Sequence, residues 1–391
     1  LGGRHGERRS DVSAFLKQLD AFDLGEYIRT IHFDELKVPA TPFQLPLRKT
    51  YYGLEEMRAG ELDFLKATVL GRSLDPVFLC SDMPMDDMAQ DEDFKKKYMF
   101  GLAMLLKKGL RLNVVHNLDR PFPELMLGLQ GWIPLYMTGQ ISPYYLKGVQ
   151  NNVYCHFLNV SGSAALSGEC IAGAHAQGRY ELVKGGEALR YFRDRAAAIQ
   201  RKALPLMDIY REDQAAAFRA FLASDARSTG ARIRLLASPP ISTLREETLR
   251  AMLAARDLPP ADCRRVLEHA AAQRDRMEAV LTHSPVSDAF PALTREEFEQ
   301  YPPALPLSEL FFDRNLRYTY AEYCRHAKET QVFAAAHSGY TVRPCDAAFR
   351  NISIAVRAGE WALVSKSSSP AIHFVIRYPK LRGAIEAFLG G

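Results

Sequence analysis

Residues 151 to 172 read Asn-Asn-Val-Tyr-Cys-His-Phe-Leu-Asn-Val-Ser-Gly-Ser-Ala-Ala-Leu-Ser-Gly-Glu-Cys-Ile-Ala. Val153, Cys155, Phe157 and Val160 form one face of a strand, small residues at 161 to 165 make a turn, and residues 166 to 171 form the return strand. Upstream, Pro-Val-Phe-Leu-Cys-Ser-Asp-Met-Pro at 76 to 84 is a short buried strand ending in a polar loop. Residues 94 to 108 follow as a helix with Phe94, Tyr98, Leu102 and Leu105 on one face, stopped by Gly109. Residues 110 to 121 hold the next strand and its loop. Strand, helix, strand at this spacing implies a right-handed crossover and a parallel pair, so the fold class is α/β.

The hairpin resembles the signature of the phospholipase D superfamily, H-x-K-x(4)-D-x(6)-G-S-x(2)-N. On that spacing the six positions are Tyr154, His156, Ser161, Gly168, Glu169 and Ala172, of which only the glycine matches. Residues 351 to 370 give a second, ungapped match, with Asn351, Ser353, Ala358, Ser365, Lys366 and Ser369 on the same positions. The resemblance implies two related phospholipase D-like lobes, each a mixed or parallel sheet flanked by helices. Phosphodiester transfer in that family needs a pair of histidines, and lysines to hold the phosphoryl oxygens as charge develops. Tyr154 and Asn351 cannot replace a histidine pair, and His156 stands where the template has lysine. The expectation is a kept fold and a lost catalyst.

With 391 residues, 47% hydrophobic and 25% charged, the chain is long enough for two or three domains and has an ordinary globular composition. Its 50 basic and 46 acidic residues nearly balance, which is no nucleic-acid footprint by itself. Six cysteines occur without a C-x-x-C pair and read as buried thiols of a reducing compartment. Residues 1 to 20 lack the apolar core of a secretory signal, and no apolar run approaches the roughly 20 residues of a membrane span. A cytoplasmic protein without membrane attachment is expected.

Residues 1 to 38 read as a helical linker or dimerisation segment, with helices near 10 to 19 and 24 to 31. The second of these carries too few basic or amide side chains to read a DNA groove. Residues 39 to 210 then form the first lobe and 211 to 391 the second, with a helical insertion at about 243 to 300. Within the first lobe, residues 57 to 69, 124 to 137 and 186 to 201 read as helices. In the second, the strand at 230 to 240 corresponds to that at 76 to 84, and residues 330 to 339 to the strand at 110 to 121. Inside the insertion, helices start at Thr243 and Asp262, separated by Pro259-Pro260. His373 and its neighbours read as an edge strand, and residues 380 to 389 as a closing helix.

The segments 31 to 39, 49 to 57, 116 to 121 and 137 to 145, the hairpin, and the tail 370 to 386 also resemble a narrower group. These are bacterial transcriptional regulators with an XRE-type helix-turn-helix followed by a long effector region. The likeness runs from about residue 15 onward and implies a signal-sensing, oligomerising effector region acting as a homodimer. DNA would be reached only through an N-terminal module outside this chain.

Ligands of open parallel sheets bind beyond the carboxyl ends of the strands. The loops that follow Ser81, His116, Ser238 and His337, together with both hairpins, are therefore expected to surround one cleft between the lobes. Its candidate ligand-binding residues are Tyr154, His156, Ser161, Glu169, Asn351, Ser353, Lys366, Ser369, Asp82, His116, Asp119 and His337. His116 with Asp119 could form a catalytic pair, or Asn117 and Asp119 could cap the helix near Pro121. Lys366 could hold an anion, and a small anionic molecule is the expected ligand. The acidic run of Asp82, Asp86, Asp87, Asp91, Glu92 and Asp93 lacks the spacing of a calcium loop and reads as a solvated loop and helix start, so no metal or cofactor is implied. The competing expectations are a phosphodiesterase or nuclease using His116, His156 or His337, and a ligand-free scaffold.

Overall fold

The computed structural model describes residues 2–30, 46–83, 91–148, 153–312, 314–346, 349–367 and 370–390. The segment 31 to 39, Asp86 and Asp87 of the acidic run, and Ser369 lie outside them. Contacts divide the chain into two compact units, Asp23–Met207 and a second made of Leu1–Phe22 with Asp208–Gly391. Helix α1 (Gly2–Ala21) thus belongs with the second unit, where Val12, Phe15, Leu16 and Leu19 bury its apolar face, while α2 (Leu24–Thr30) opens the first. The spacing of those four residues, three or four apart, is that of one helix face.

The first unit runs β1 (Arg48–Tyr52), α3 (Gly53–Leu70), β2 (Val77–Ser81), α4 (Glu92–Lys107), β3 (Leu112–His116), α5 (Phe122–Tyr136), β4 (Ile141–Tyr145), β5 (Tyr154–Val160), β6 (Ala165–Ile171), β7 (Ala174–Val183), α6 (Gly186–Lys202) and β8 (Leu204–Pro205). Its sheet order is β1-β7-β6-β5-β2-β3-β4-β8. Strands β2, β3 and β4 are parallel, and β5, β6 and β7 return antiparallel. Val77, Phe78 and Leu79 are buried in succession, as expected of a strand covered on both faces. The Asp91 carboxylate caps α4 by accepting from the amides of Asp93 and Phe94, both at 3.0 Å. The quoted hairpin is β5 and β6, closed where the Ser161 amide donates to the Ala164 carbonyl.

The second unit runs β9 (Met207–Tyr210), α7 (Ala215–Ala226), β10 (Arg232–Leu235), α8 (Glu246–Ala254), α9 (Pro260–Leu281), β11 (Val286–Pro291), α10 (Arg295–Gln300), α11 (Tyr320–Ala336), β12 (Tyr340–Cys345), β13 (Ile352–Arg357), β14 (Trp361–Lys366), β15 (Ile372–Ile376) and α12 (Pro379–Gly390). Its sheet order is β12-β11-β10-β13-β14-β15-β9. Read from β9, this repeats the order β1-β7-β6-β5-β2-β3-β4 of the first unit strand for strand. The fold is α/β, two mixed sheets flanked by helices.

The repeat corrects three sequence expectations. Residues 330 to 339 are not the counterpart of β3: Thr319 and Glu322 form a reciprocal capping box that starts α11, and Val332, 46% exposed, sits on the outer side of that helix. The counterpart is β11, parallel to β10, which lies inside the supposed helical insertion; α9 is the crossover between them. Thr243 lies in a short 3-10 turn before α8, and α9 starts at Pro260 with proline at its first helical position. His373 is on no edge, because β15 is flanked by β14 and β9 and every residue of it is buried.

Gly168 is the one position of the first hairpin that matches the template, and packing accounts for a glycine there. A Cβ there would run into the Tyr180 ring and the Arg179 carbonyl of the neighbouring strand, and Tyr180 is fully buried. Gly168→Ala should lower stability by about 1–3 kcal/mol through overpacking, read as a lower urea midpoint at unchanged slope. A second prediction concerns Glu61 of α3, whose buried carboxyl is pushed up to about 8 by desolvation, partly offset by Arg58. Its folded value lies above the unfolded one, so the stability it allows is complete below about pH 4.3 and is lost as the pH rises toward 8. Glu61→Gln is expected to match the parent near pH 4 and to melt at higher temperature at pH 8.

Candidate functional site

Antiparallel pairing of β5 with β2 brings the start of the hairpin to the carboxyl end of the parallel strands, with Ser81 opposite Phe157. One residue further, Asp82 takes the next rung through its side chain. Its carboxylate accepts from the His156 amide and lies 3.1 Å from His156 Nδ1, while the Asp82 amide donates to the His156 carbonyl. Across the hairpin His156 is paired with Glu169, and Glu169 in turn with Arg179 of β7; Ser167 likewise faces Glu181. These alternate residues share one face of the sheet. Tyr191, Phe192, Arg195 and Ile199 of α6 cover it at helical spacing.

Together these groups line a pocket of about 610 Å³ built entirely from the first unit. Four sequence candidates, Asp82, His116, His156 and Glu169, are in its wall, with Cys80, Asn117, Arg179, Glu181 and Arg195. Its apolar part comes from Val115, Leu146, Phe157, Leu158, Phe192 and Ile199. Glu181 is paired with Arg48. Among the described residues, Arg179, Arg195 and Glu169 have no side-chain hydrogen-bond or ion-pair partner. Arg179 and Arg195 escaped the sequence reading. The signal was there in the polar alternation of β7 and in the apolar stripe of α6 at Leu189, Phe192, Ala196 and Ile199, which Arg195 flanks.

Electrostatics hold two wall groups neutral. Burial pushes the Cys80 thiol up to about 12, with Asp82 adding to the rise and Arg195 opposing it. Burial, reinforced by Arg120, lowers His116 to about 4. His116 Nε2 is 2.8 Å from the Tyr136 hydroxyl, and its ring meets Trp132 edge-on. The suggested pairing with Asp119 is therefore not what orients this imidazole. Asn117 turns back on the Asp119 amide at 3.1 Å, and neither side chain caps α5, whose cap is Pro121.

The remaining candidates lie elsewhere. Tyr154 is 43% exposed beside His156 and outside the pocket wall. Ser161 is buried at the hairpin turn and accepts from Thr68 Oγ1 at 2.9 Å. His337 ends α11, stacked on Phe333, with Nδ1 2.9 Å from that residue's carbonyl. In the second unit, Asn351 and Ser353 border a hollow of only about 40 Å³, room for little more than a water molecule. Lys366 is buried, and its ammonium donates to the carbonyls of Leu19 and Asp20 in α1, both at 2.7 Å, so it does not face an open site.

Cys155 and Cys170 are buried, Cys80, Cys263 and Cys345 partly so, and Cys324 is exposed. Among the described residues no group of three His, Cys, Asp or Glu side chains is placed to hold a metal ion. Among them, too, no helix is long and apolar enough to cross a membrane. Removing the His116 partner by Tyr136→Phe should leave a half-buried imidazole nitrogen unsatisfied and cost about 1–3 kcal/mol. Equilibrium denaturation measures it; an unchanged midpoint would show that water replaces the hydroxyl.

No protein family and no curated protein matches this chain. Among solved structures it is similar to the archaeal chromatin protein TrmBL2, whose structure shows a novel mode of DNA binding, at 9% identity and a TM-score of 0.31 over 46% of this chain. The chain spans 61% of that protein, less than two thirds of its length. It is also similar to the polyphosphate kinase of Porphyromonas gingivalis, at 9% identity and a TM-score of 0.26, over 88% of this chain and 50% of that one. Both likenesses are weak.

Proposed function

We propose that this chain is the signal-sensing region of a transcriptional regulator, that it performs no chemistry on its ligand, and that the ligand is a small molecule with one anionic group and an apolar body. It binds in the first-lobe pocket. The observation that carries this reading is the pair of guanidinium groups, Arg179 and Arg195, which among the described residues have no hydrogen-bond or ion-pair partner and stand in the wall of a pocket whose volume suits a small ligand. Arginine presents a planar fork of donors that matches a carboxylate or phosphate. Asp82, Glu169 and Glu181 in the same wall disfavour a polyanion, which selects a ligand bearing a single negative group. Absence of turnover is supported by burial that keeps the Cys80 thiol protonated, and by Tyr154 and Asn351 at the template's histidine positions.

One observation favours a second reading, a phosphodiesterase: the contact between His156 and Asp82 has the geometry of an oriented general base. One experiment separates the two. Thermal melting is followed with a panel of carboxylates and phosphate monoesters, on the parent and on the double variant Arg179→Gln, Arg195→Gln. A true ligand at about one hundred times its Kd adds about 2.7 kcal/mol to the parent, and that gain should vanish in the double variant. If no anion raises the melting temperature, or both proteins respond alike, the sensing reading is lost. Hydrolysis of a chromogenic phosphodiester that disappears in His156→Ala would instead establish the enzyme.

A further inference from the structure

In the second unit, the position that corresponds to the first hairpin's pocket edge is not open, because the end of α1 is seated on it. The Asp20 carboxylate accepts from three consecutive backbone amides, those of Arg350 at 3.0 Å, Asn351 at 2.6 Å and Ile352 at 3.0 Å. Successive amides converging on one oxygen form a concave nest, a backbone device that binds anions without any side-chain charge. Lys366, buried beside it, donates to the carbonyls of Leu19 and Asp20, and Asn351 Nδ2 donates to the Asp20 carbonyl at 3.0 Å. The Tyr301 hydroxyl fixes Asn351 by donating to its Oδ1 at 2.8 Å, and the Arg350 guanidinium lies over the Tyr301 ring. The nest is thus built, charged and occupied, and its occupant comes from 330 residues away in the same chain.

We propose that this nest is an oxyanion receptor for which Asp20 is the internal ligand, and that a compact external oxyanion of the phosphate class competes with the end of α1 for it. A phosphate monoester brings more charge and more acceptor oxygens to the three amides than a carboxylate does. The apolar face of α1, Val12, Phe15, Leu16 and Leu19, keeps the body of the helix in place. What competition releases is its last turn, next to Asp23, where the chain passes into the first unit.

The test uses the full chain in an Arg179→Gln, Arg195→Gln background, so that binding in the first-lobe pocket does not contribute. Inorganic phosphate is titrated calorimetrically into that protein and into the same protein carrying Asp20→Ala, and amide exchange of α1 is followed in both. Removing the resident carboxylate is expected to tighten phosphate binding at least tenfold and to speed exchange in the last turn of α1. In the background protein, phosphate itself should speed exchange there. Asp20→Asn, which keeps an acceptor oxygen without the charge, should fall between the two and serves where the alanine variant does not fold. Equal affinity for phosphate with and without Asp20, no binding to either, or α1 exchange that ignores both phosphate and the substitutions, would overturn the proposal.

Discussion

The placement of every site in this chain depends on one pairing, the antiparallel docking of a hairpin strand on the first parallel strand of its sheet. In the first unit β5 lies against β2, and in the second β13 lies against β10. A parallel strand ends where its loop begins, so an antiparallel neighbour necessarily starts at that same edge. The start of each hairpin is therefore delivered to the loops that follow the parallel strands. His156 meets Asp82 for this reason, and the Ser353 hydroxyl is within 3.4 Å of the Ala237 amide for the same one.

Given that shared scaffold, the two units use their edges in opposite ways. The first leaves space, and its wall combines arginines that are unpaired among the described residues with groups held neutral by burial. Its counterpart in the second unit is filled by peptide. The interior of the second sheet also spends its polar groups on itself: Asp288 is fully buried, takes two bonds from Arg234 at 2.6 and 2.5 Å, and accepts from the Tyr340 hydroxyl at 2.6 Å. That triad spans β10, β11 and β12, and burial together with Asp288 drives the Tyr340 hydroxyl upward. A buried pair of this kind is poor at adding net stability, yet removal of one partner strands a charge. Its effect is to hold three parallel strands in one register.

Much of the first unit was legible because its core strands are short apolar runs bounded by turn residues. The hairpin, β2, β3 and α4 follow directly from such patterning. Other elements were not legible, for identifiable reasons. Strand β1 is Arg-Lys-Thr-Tyr-Tyr, polar at its start and with one buried residue, so nothing in it alternates strongly enough to read as a strand. The run Val332, Phe333, Ala334, Ala335, Ala336 resembles a buried strand, but the capping box 13 residues before Val332, at Thr319, commits it to a helix whose last turn this is. Short apolar runs are ambiguous in this way until their flanks are weighed. Strand β11 was hidden between two helices, although its Asp288 is an odd residue for any surface loop to bury.

For the candidate site the limit was of another kind. A motif is a sure guide only where its residues are present, and here most of the template positions hold other residues. Those positions include His156 and Glu169, which stand in the pocket wall because alternate residues of a strand share a face. They could not lead to Arg179 or Arg195, which lie on the next strand and on the helix above it. Nor could they reveal that Lys366 faces the end of α1. The partner of that lysine is separated from it by most of the chain, and only closure of the second sheet on α1 brings the two together. The two units therefore differ in what covers each hairpin as well as in the residues the hairpins carry.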